Sequence, residues 1–376
     1  MAQKRLKLGI IISPKGQAAT APLSDLVSIL NGLSNELHVI IAGSVRVLHK
    51  NELKSIHIHN ICYKTHSNII AKVINHIYVQ LIFSYIIIKL SRKVDVWFFF
   101  LEGHALLLPV LTTKLLRKTE IFILAASIKK AAKVNKSIFD KMVIFSENIG
   151  FQISNRIILY SENLIHEWGL EKHKSKISIA HQHFIDSTHL TPKNNIDDNG
   201  EVVGFIGRFS KEKGILNLVQ AIPHVLRKRK NIHFILCGDG EMFEEIRNII
   251  QNKGLEAHVK MTGWISFNDV PRYLKELKLL VIPSYTEGLP NIMLEAMACG
   301  TPVLATPVGA IPDIINDGGT GFIMENNSPE CIAENIIKAL NNPGLEKIAE
   351  NARLMVWNDF TFEKESASFR VVFKKL

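Results

Sequence analysis

The sequence predicts an α/β protein made of two doubly wound parallel-sheet domains. Apolar runs of strand length recur from end to end, helix-length segments separate them, and the rhythm restarts after a polar interruption near residue 191. The runs are continuous rather than alternating, which suits strands covered by helices on both faces. With 376 residues, the chain is long enough to bury two such cores.

In the first half the strand-like runs are LKLGIII (6–12), LHVIIAG (37–43), VDVWFFF (94–100), EIFILAA (120–126) and RIILYS (156–161). Between them, 22–33, 69–90 and 106–116 read as helices. The stretch TPKNNIDDNGE (191–201) holds turn formers and charge but almost no core residues, and reads as a linker. Beyond it come VVGFIG (202–207), a helix over 215–228, IHFILCG (232–238), a helix over 242–253, VKMTGW (259–264), KLLVIPS (278–284), a helix over 290–297 and TPVLAT (301–306). The expected organisation is a first domain over 1–190, a linker over 191–201, a second domain over 202–356 and a C-terminal helix over 357–376. That last helix, with Phe362, Phe369, Val372 and Phe373 on one side, is expected to pack back toward the first domain. In open sheets of this kind, ligands bind outside the carboxyl ends of the strands, and two facing domains would form a cleft there.

Composition narrows the function classes. Hydrophobic residues make up 47% and charged residues 21%, with a mean hydropathy of +0.13, so the chain is neither low-complexity nor disordered. Four cysteines, Cys62, Cys237, Cys299 and Cys331, lie far apart without a C-x-x-C pair, which argues against a disulfide framework or structural zinc and for a reducing compartment. The opening apolar run breaks at Ser13-Pro14, too early for a signal peptide, and no run reaches the ~20 apolar residues that span a bilayer. Residues 1–200 hold 25 Lys+Arg against 14 Asp+Glu, and residues 201–376 hold 20 against 21. All the excess basicity therefore sits in the first half, pointing to an anionic partner for that half, such as a phospholipid surface or a phosphate-bearing acceptor, or to a solubility feature. The expected location is the cytoplasm, with peripheral docking at the inner membrane face.

The densest chemical signal is PSYTEGLPNIMLEAMACGTPVLATPVGAIPDII (283–315). A strand ends at Ser284, a Gly288-Leu289-Pro290 turn follows Glu287, and Pro290 sits where a helix can begin. Backbone N–H groups of that turn and the helix dipole favour a phosphate. Glu287 lies on the loop, and Glu295 about one and a half turns into the helix is suited to clamp two vicinal hydroxyls of a ribose. The second signal, GFIGRFSKEKGI (204–215), places Gly207, Arg208 and Lys213 at the carboxyl edge of the sheet, where a diphosphate needs cations. The third, LCGDGEMFEE (236–245), has Phe243 where a dinucleotide fingerprint needs glycine, so Gly238 and Gly240 are read as allowing close approach to backbone or nucleotide.

Taken together, these residues resemble the retaining glycosyltransferases of family 4, which have the two-domain GT-B fold. The resemblance is specific over about 203–342 and a matter of pattern over 1–190. It implies that Arg208 and Lys213 hold the diphosphate of a nucleotide sugar and that amides around Gly288, Leu289 and Pro290 support its β-phosphate. It further implies that Glu287 contacts the transferred sugar, Glu295 holds the ribose, and Gly263 and Trp264 lie near the base. Gly16, after the first strand, would allow close approach of the donor sugar. Many members carry a histidine where this chain has Ala125, Ala126 and Ser127; Glu102 and His104, after the preceding strand, are then the ionisable groups best placed for catalysis, and packing is the other reading of His104. His181 and His183 are read as part of a hinge rather than a metal pair. No D-x-D triplet occurs, and neither metal nor other cofactor is expected. The implied partners are a nucleotide sugar and a glycan or lipid-linked acceptor, with no nucleic acid. A sugar-nucleotide epimerase and a non-catalytic nucleotide-sugar-binding protein are the alternatives.

Overall fold

The computed structural model describes residues 6–13, 19–43, 56–61, 63, 69–127, 129, 138–186, 190–191 and 201–375, and Gly16 and most of the 191–201 segment lie outside them. The chain divides into two units, Met1–Phe184 with Phe362–Leu376, and Ile185–Thr361.

The first unit is a seven-stranded parallel sheet of β1 (Leu6–Ile12), β2 (Ser34–Ala42), β3 (Ile56–Ile61), β4 (Val96–Phe100), β5 (Thr119–Ile123), β6 (Arg156–Leu159) and β7 (Ile177–Ile179), in the order β3-β2-β1-β4-β5-β6-β7. Its central strands are buried along their length, and all five residues of β4 are core. This is why their apolar runs are unbroken. β3 and β7 are the edges, and neither stands out as an apolar run: β3 reads IHIHNI and β7 spans three residues.

The helix Phe362–Lys374 belongs to this unit. Phe369 is fully buried 6.5 Å from the Phe98 ring, and Phe373 meets Phe98 edge-on at 5.8 Å. The sequence boundary at 356/357 is corrected here, because it falls inside one continuous helix, Leu345–Asp359, and the helical run breaks only at Phe360 and Thr361. The other boundary moves as well. The polar run at 191–201 marks a loop, but the backbone N–H of Ile185 already donates to the Phe360 carbonyl at 2.8 Å, so the second unit begins before it.

Burial in this unit perturbs two carboxyls. Glu120 is fully buried and is pushed up to about 7 by loss of water, against a hydrogen bond from Thr113 Oγ1 and the nearby Lys114 and Lys176. Glu365 is raised to about 8 by burial, and its partner His181, 3.1 Å away, is lowered to about 4, so burial drives both toward their neutral forms. Between pH 4.5 and 7 the folded chain holds a proton on Glu120 that the unfolded chain has lost. Stability therefore falls as pH rises through that window, by about 3 kcal/mol for this group. Glu120→Gln removes that dependence. Denaturation at several pH values should show the gap between wild type and variant shifting by that amount in the variant's favour from pH 4.5 to 7, whereas parallel profiles would show that Glu120 ionises freely in the fold.

The second unit is a six-stranded parallel sheet of β8 (Val202–Ile206), β9 (His233–Cys237), β10 (Val259–Gly263), β11 (Leu279–Ile282), β12 (Val303–Ala305) and β13 (Phe322–Ile323), in the order β10-β9-β8-β11-β12-β13. Helices Ile215–Lys228, Phe243–Asn252 and Pro329–Leu340 contribute Leu218, Ile222, Ile246 and Ile336 to its core. From β8 the chain builds outward through β9 and β10 on one side, then crosses to β11 on the other. β8 and β11 thus flank the switch point of the sheet, where loops part and a ligand can sit.

Candidate functional site

Two loops leave the sheet at that switch point: 207–214 after β8 and 283–290 after β11. They are joined by backbone, because Tyr285 N–H donates to Glu212 O at 2.9 Å, and by side chains, because Lys213 Nζ donates to Glu287 Oε1 at 2.6 Å. Glu287 is only 8% exposed, and the same oxygen accepts from Ser284 Oγ at 2.7 Å. Thr306 Oγ1, at the end of β12, braces the loop by donating to Ser284 O at 2.6 Å. The sequence motifs at 213 and 287, 74 residues apart, therefore meet in one place.

Arg208 is also paired, through Nη2 to Glu212 Oε1 at 2.6 Å, but its side chain is 61% exposed. Burial works against the Glu212 carboxylate, yet its own backbone N–H and the charges of Arg208 and Lys213 hold it below the usual range. A surface ion pair of this kind contributes about 0–1 kcal/mol, so an arriving phosphate can displace it at small cost. Glu212 was not singled out by sequence. Its position between two lysines was the available signal.

The helix Asn291–Ala298 starts directly after Pro290, and no side chain caps it. Its first-turn N–H groups lack intrahelical acceptors, and the dipole places partial positive charge there. Among the described residues, buried Thr286 Oγ1 and Asn291 Oδ1 have no hydrogen-bond partner, which leaves polar atoms of this loop for a ligand to satisfy. Sequence reasoning missed both. Gly288, Leu289 and Pro290 are buried, and Gly309 explains how: a Cβ there would lie 2.5 Å from Glu287 O and 2.6 Å from Gly288 O, and Ala310 N–H donates to Gly288 O at 2.7 Å. Glu295 lies half-buried on the same helix.

Gly238, at φ +151°, passes so close to the Gly207 carbonyl that a Cβ would collide with it, and its N–H donates to Gly263 O at 2.9 Å. Three loop ends, after β8, β9 and β10, are tied side by side in this way. Trp264 is 54% exposed beyond Gly263, a flat apolar surface at the same sheet edge.

The first-unit candidates are placed differently. His104 is 1% exposed, its Nε2 is 3.1 Å from buried Glu147 Oε1, and its ring stacks on Phe151 at 5.8 Å and lies 5.9 Å from Phe122. Of its two readings, cleft and packing, the structure takes packing: the ring lies against Phe122, Phe151 and Glu147, just after the left-handed residues Leu101 and Glu102. Glu102 is half-exposed at φ +66°. His183 is likewise buried in the first unit, with Tyr160 edge-on at 4.9 Å.

Residues 186–355 match the family model of Glycosyl transferases group 1. The chain is similar to an uncharacterized glycosyltransferase of Methanocaldococcus jannaschii, 34% identical over 173 residues that cover 46% of this chain and 47% of that protein. It is also similar to the capsular polysaccharide biosynthesis glycosyltransferase CapM of Staphylococcus aureus, 34% identical over 167 residues, 43% of this chain and 42% of CapM. The chain thus spans about half the length of the curated relatives it matches. Across 99% of its length it has the fold of Anabaena HepE, solved in complex with UDP and glucose, with a TM-score of 0.77 at 17% identity over all of that chain. Residues 186–355 are thus similar to the group 1 glycosyltransferases, within a chain of two parallel α/β sheets and GT-B fold.

Proposed function

We propose that the chain is a retaining glycosyltransferase that moves a sugar from a nucleoside-diphosphate donor to a glycan or lipid-linked acceptor, in envelope polysaccharide, glycolipid or glycoprotein-glycan assembly. The observation that carries this is the Lys213–Glu287 bridge between two loops at the switch point, beside an uncapped helix start. Breaking a glycosyl–phosphate bond builds negative charge on the leaving diphosphate and positive charge on the anomeric carbon. Arg208, Lys213 and the amides of the Gly288–Pro290 turn act on the first, and the Glu287 carboxylate on the second, so fixed protein charges do what a metal otherwise does. Glu295 holds the ribose, and Trp264 offers its exposed face to the base. UDP bound by Anabaena HepE supports a uridine donor, and the role of CapM supports a polysaccharide product. Melting the protein against UDP-, GDP- and ADP-sugars tests this. One nucleotide class should raise the midpoint, since saturation at 100 times Kd contributes about 2.7 kcal/mol, and no shift with any of them would remove the donor from the proposal.

Acceptor delivery by a membrane is supported by the helix Ile69–Lys89. Ile70, Ile74, Ile77, Leu81, Tyr85 and Ile88 recur every three to four residues, and all are exposed. Lys89, Arg92 and Lys93 follow at its end. No helix among the described residues is long and apolar enough to cross a membrane. A stripe with adjacent basic residues suits lying in the interface of an anionic bilayer. Leu81→Glu with Tyr85→Glu should lower co-sedimentation with phosphatidylglycerol vesicles by at least about tenfold, and unchanged partitioning would move the docking surface elsewhere.

A further inference from the structure

The edge of the first unit's sheet carries a polar cluster that the transferase site does not use. β2 and β3 pair in parallel with His38 opposite His57 and Ile40 opposite His59. Because strand side chains alternate, this register puts Glu36, His38, His57 and His59 on one face. His38 is 2% exposed in a strand whose neighbours are Leu37, Val39 and Ile40. Burying an imidazole there has a cost, so what it touches matters. His38 Nε2 lies 3.1 Å from Glu36 Oε1, His57 Nε2 lies 3.4 Å from the same oxygen, and His38 Nδ1 lies 3.1 Å from His59 Nε2.

We infer that Glu36, His38 and His57 form a binding site for a zinc-class divalent cation at the β2–β3 edge, with His59 as the hydrogen-bond partner that orients His38. Ligand atoms 2.0–2.1 Å from a tetrahedral zinc stand about 3.3 Å from one another. Two of the three separations already match this spacing, and one ligand atom from each residue falls within 4.8 Å of the others. Closing the remaining gap requires the His57 ring, stacked on His38 with centroids 4.8 Å apart, to turn out of that stack, and its side chain is 53% exposed. Two imidazoles and one carboxylate suit zinc or its late first-row neighbours rather than magnesium or calcium, and the fourth position is left to water.

Metal-binding histidines usually donate their other ring N–H to a fixed acceptor, which sets the tautomer. With an ion bound, His38 would carry its proton on Nδ1, donate it to His59 Nε2 and turn the Nε2 lone pair toward the ion between Glu36 and His57. His59 itself sits near Lys89 and Lys93, whose charges oppose a cation on that side; Glu36 places the negative charge on the other. A bound ion would add a side-chain tie to the backbone pairing that already holds the edge strand β3 on β2.

The test uses the tag-free chain, treated with EDTA and desalted, then titrated with Zn²⁺ alone by calorimetry and with Co²⁺ by absorption. One saturable equivalent is expected, with tetrahedral cobalt bands. His57→Ala and Glu36→Gln, checked for native circular dichroism, should each weaken it at least about tenfold, and His166→Ala, which alters an exposed His–Glu pair elsewhere, should not. Absence of a one-equivalent isotherm, or an isotherm unchanged in both variants, overturns the assignment.

Discussion

Glu287→Gln should lower the rate of donor consumption about a hundredfold, equivalent to ~2.7 kcal/mol of transition-state stabilisation. Gln keeps an oxygen that can accept from Ser284 Oγ and Lys213 Nζ, so the loop geometry survives while the charge is lost. The charge is what the proposed chemistry uses, because the anomeric carbon becomes positive only as the bond breaks. Nucleotide affinity should therefore change by less than about tenfold while kcat falls. Measuring both with UDP-sugar, with and without acceptor, separates the roles. Equal losses in affinity and rate would make Glu287 a binding residue, and an unchanged rate would remove it from the reaction. Consumption of donor without any acceptor would favour the epimerase alternative.

Phe369→Ala should cost the first unit about 3–5 kcal/mol, the usual range for a fully buried phenylalanine that leaves a cavity. The residue lies on a helix at the far end of the chain from the sheet it packs on, with Phe98 of β4 6.5 Å from its ring. Since β4 has no exposed residue, the core cannot relax around the hole by moving side chains into water. A fall in melting temperature on the order of 10 °C is expected. A fall of less than a degree or two would mean that the C-terminal helix contributes little to the stability of this unit.

The second unit was the more legible half. Its strands end in glycine-rich loops whose residues have few alternative uses, and 74 residues of separation between Lys213 and Glu287 did not hide that parallel strands bring their carboxyl ends to one edge. What the sequence did not disclose was pairing. Glu212 and Ser284 are unremarkable by type, and only the fold sets them against Arg208 and Glu287. His104 had two readings from sequence, a cleft residue or a packed one, and only the fold decides for packing, by setting Phe122 and Phe151 against its ring. β3 was missed because an edge strand needs no apolar run, and its alternating histidines follow the period of a half-covered strand rather than a buried one. The start of the second unit was displaced because a polar run reports exposure, while the unit is defined by contacts such as Ile185 to Phe360.

The central claim is that the switch point of the second sheet holds a nucleoside diphosphate through Arg208 and Lys213. Calorimetric titration of UDP into the wild-type chain and into Lys213→Ala measures it most directly. Saturable binding that weakens at least about tenfold in the variant, in line with loss of one charge-assisted contact of roughly 1.5–3 kcal/mol, is the expected result. UDP affinity identical in the two chains would contradict it.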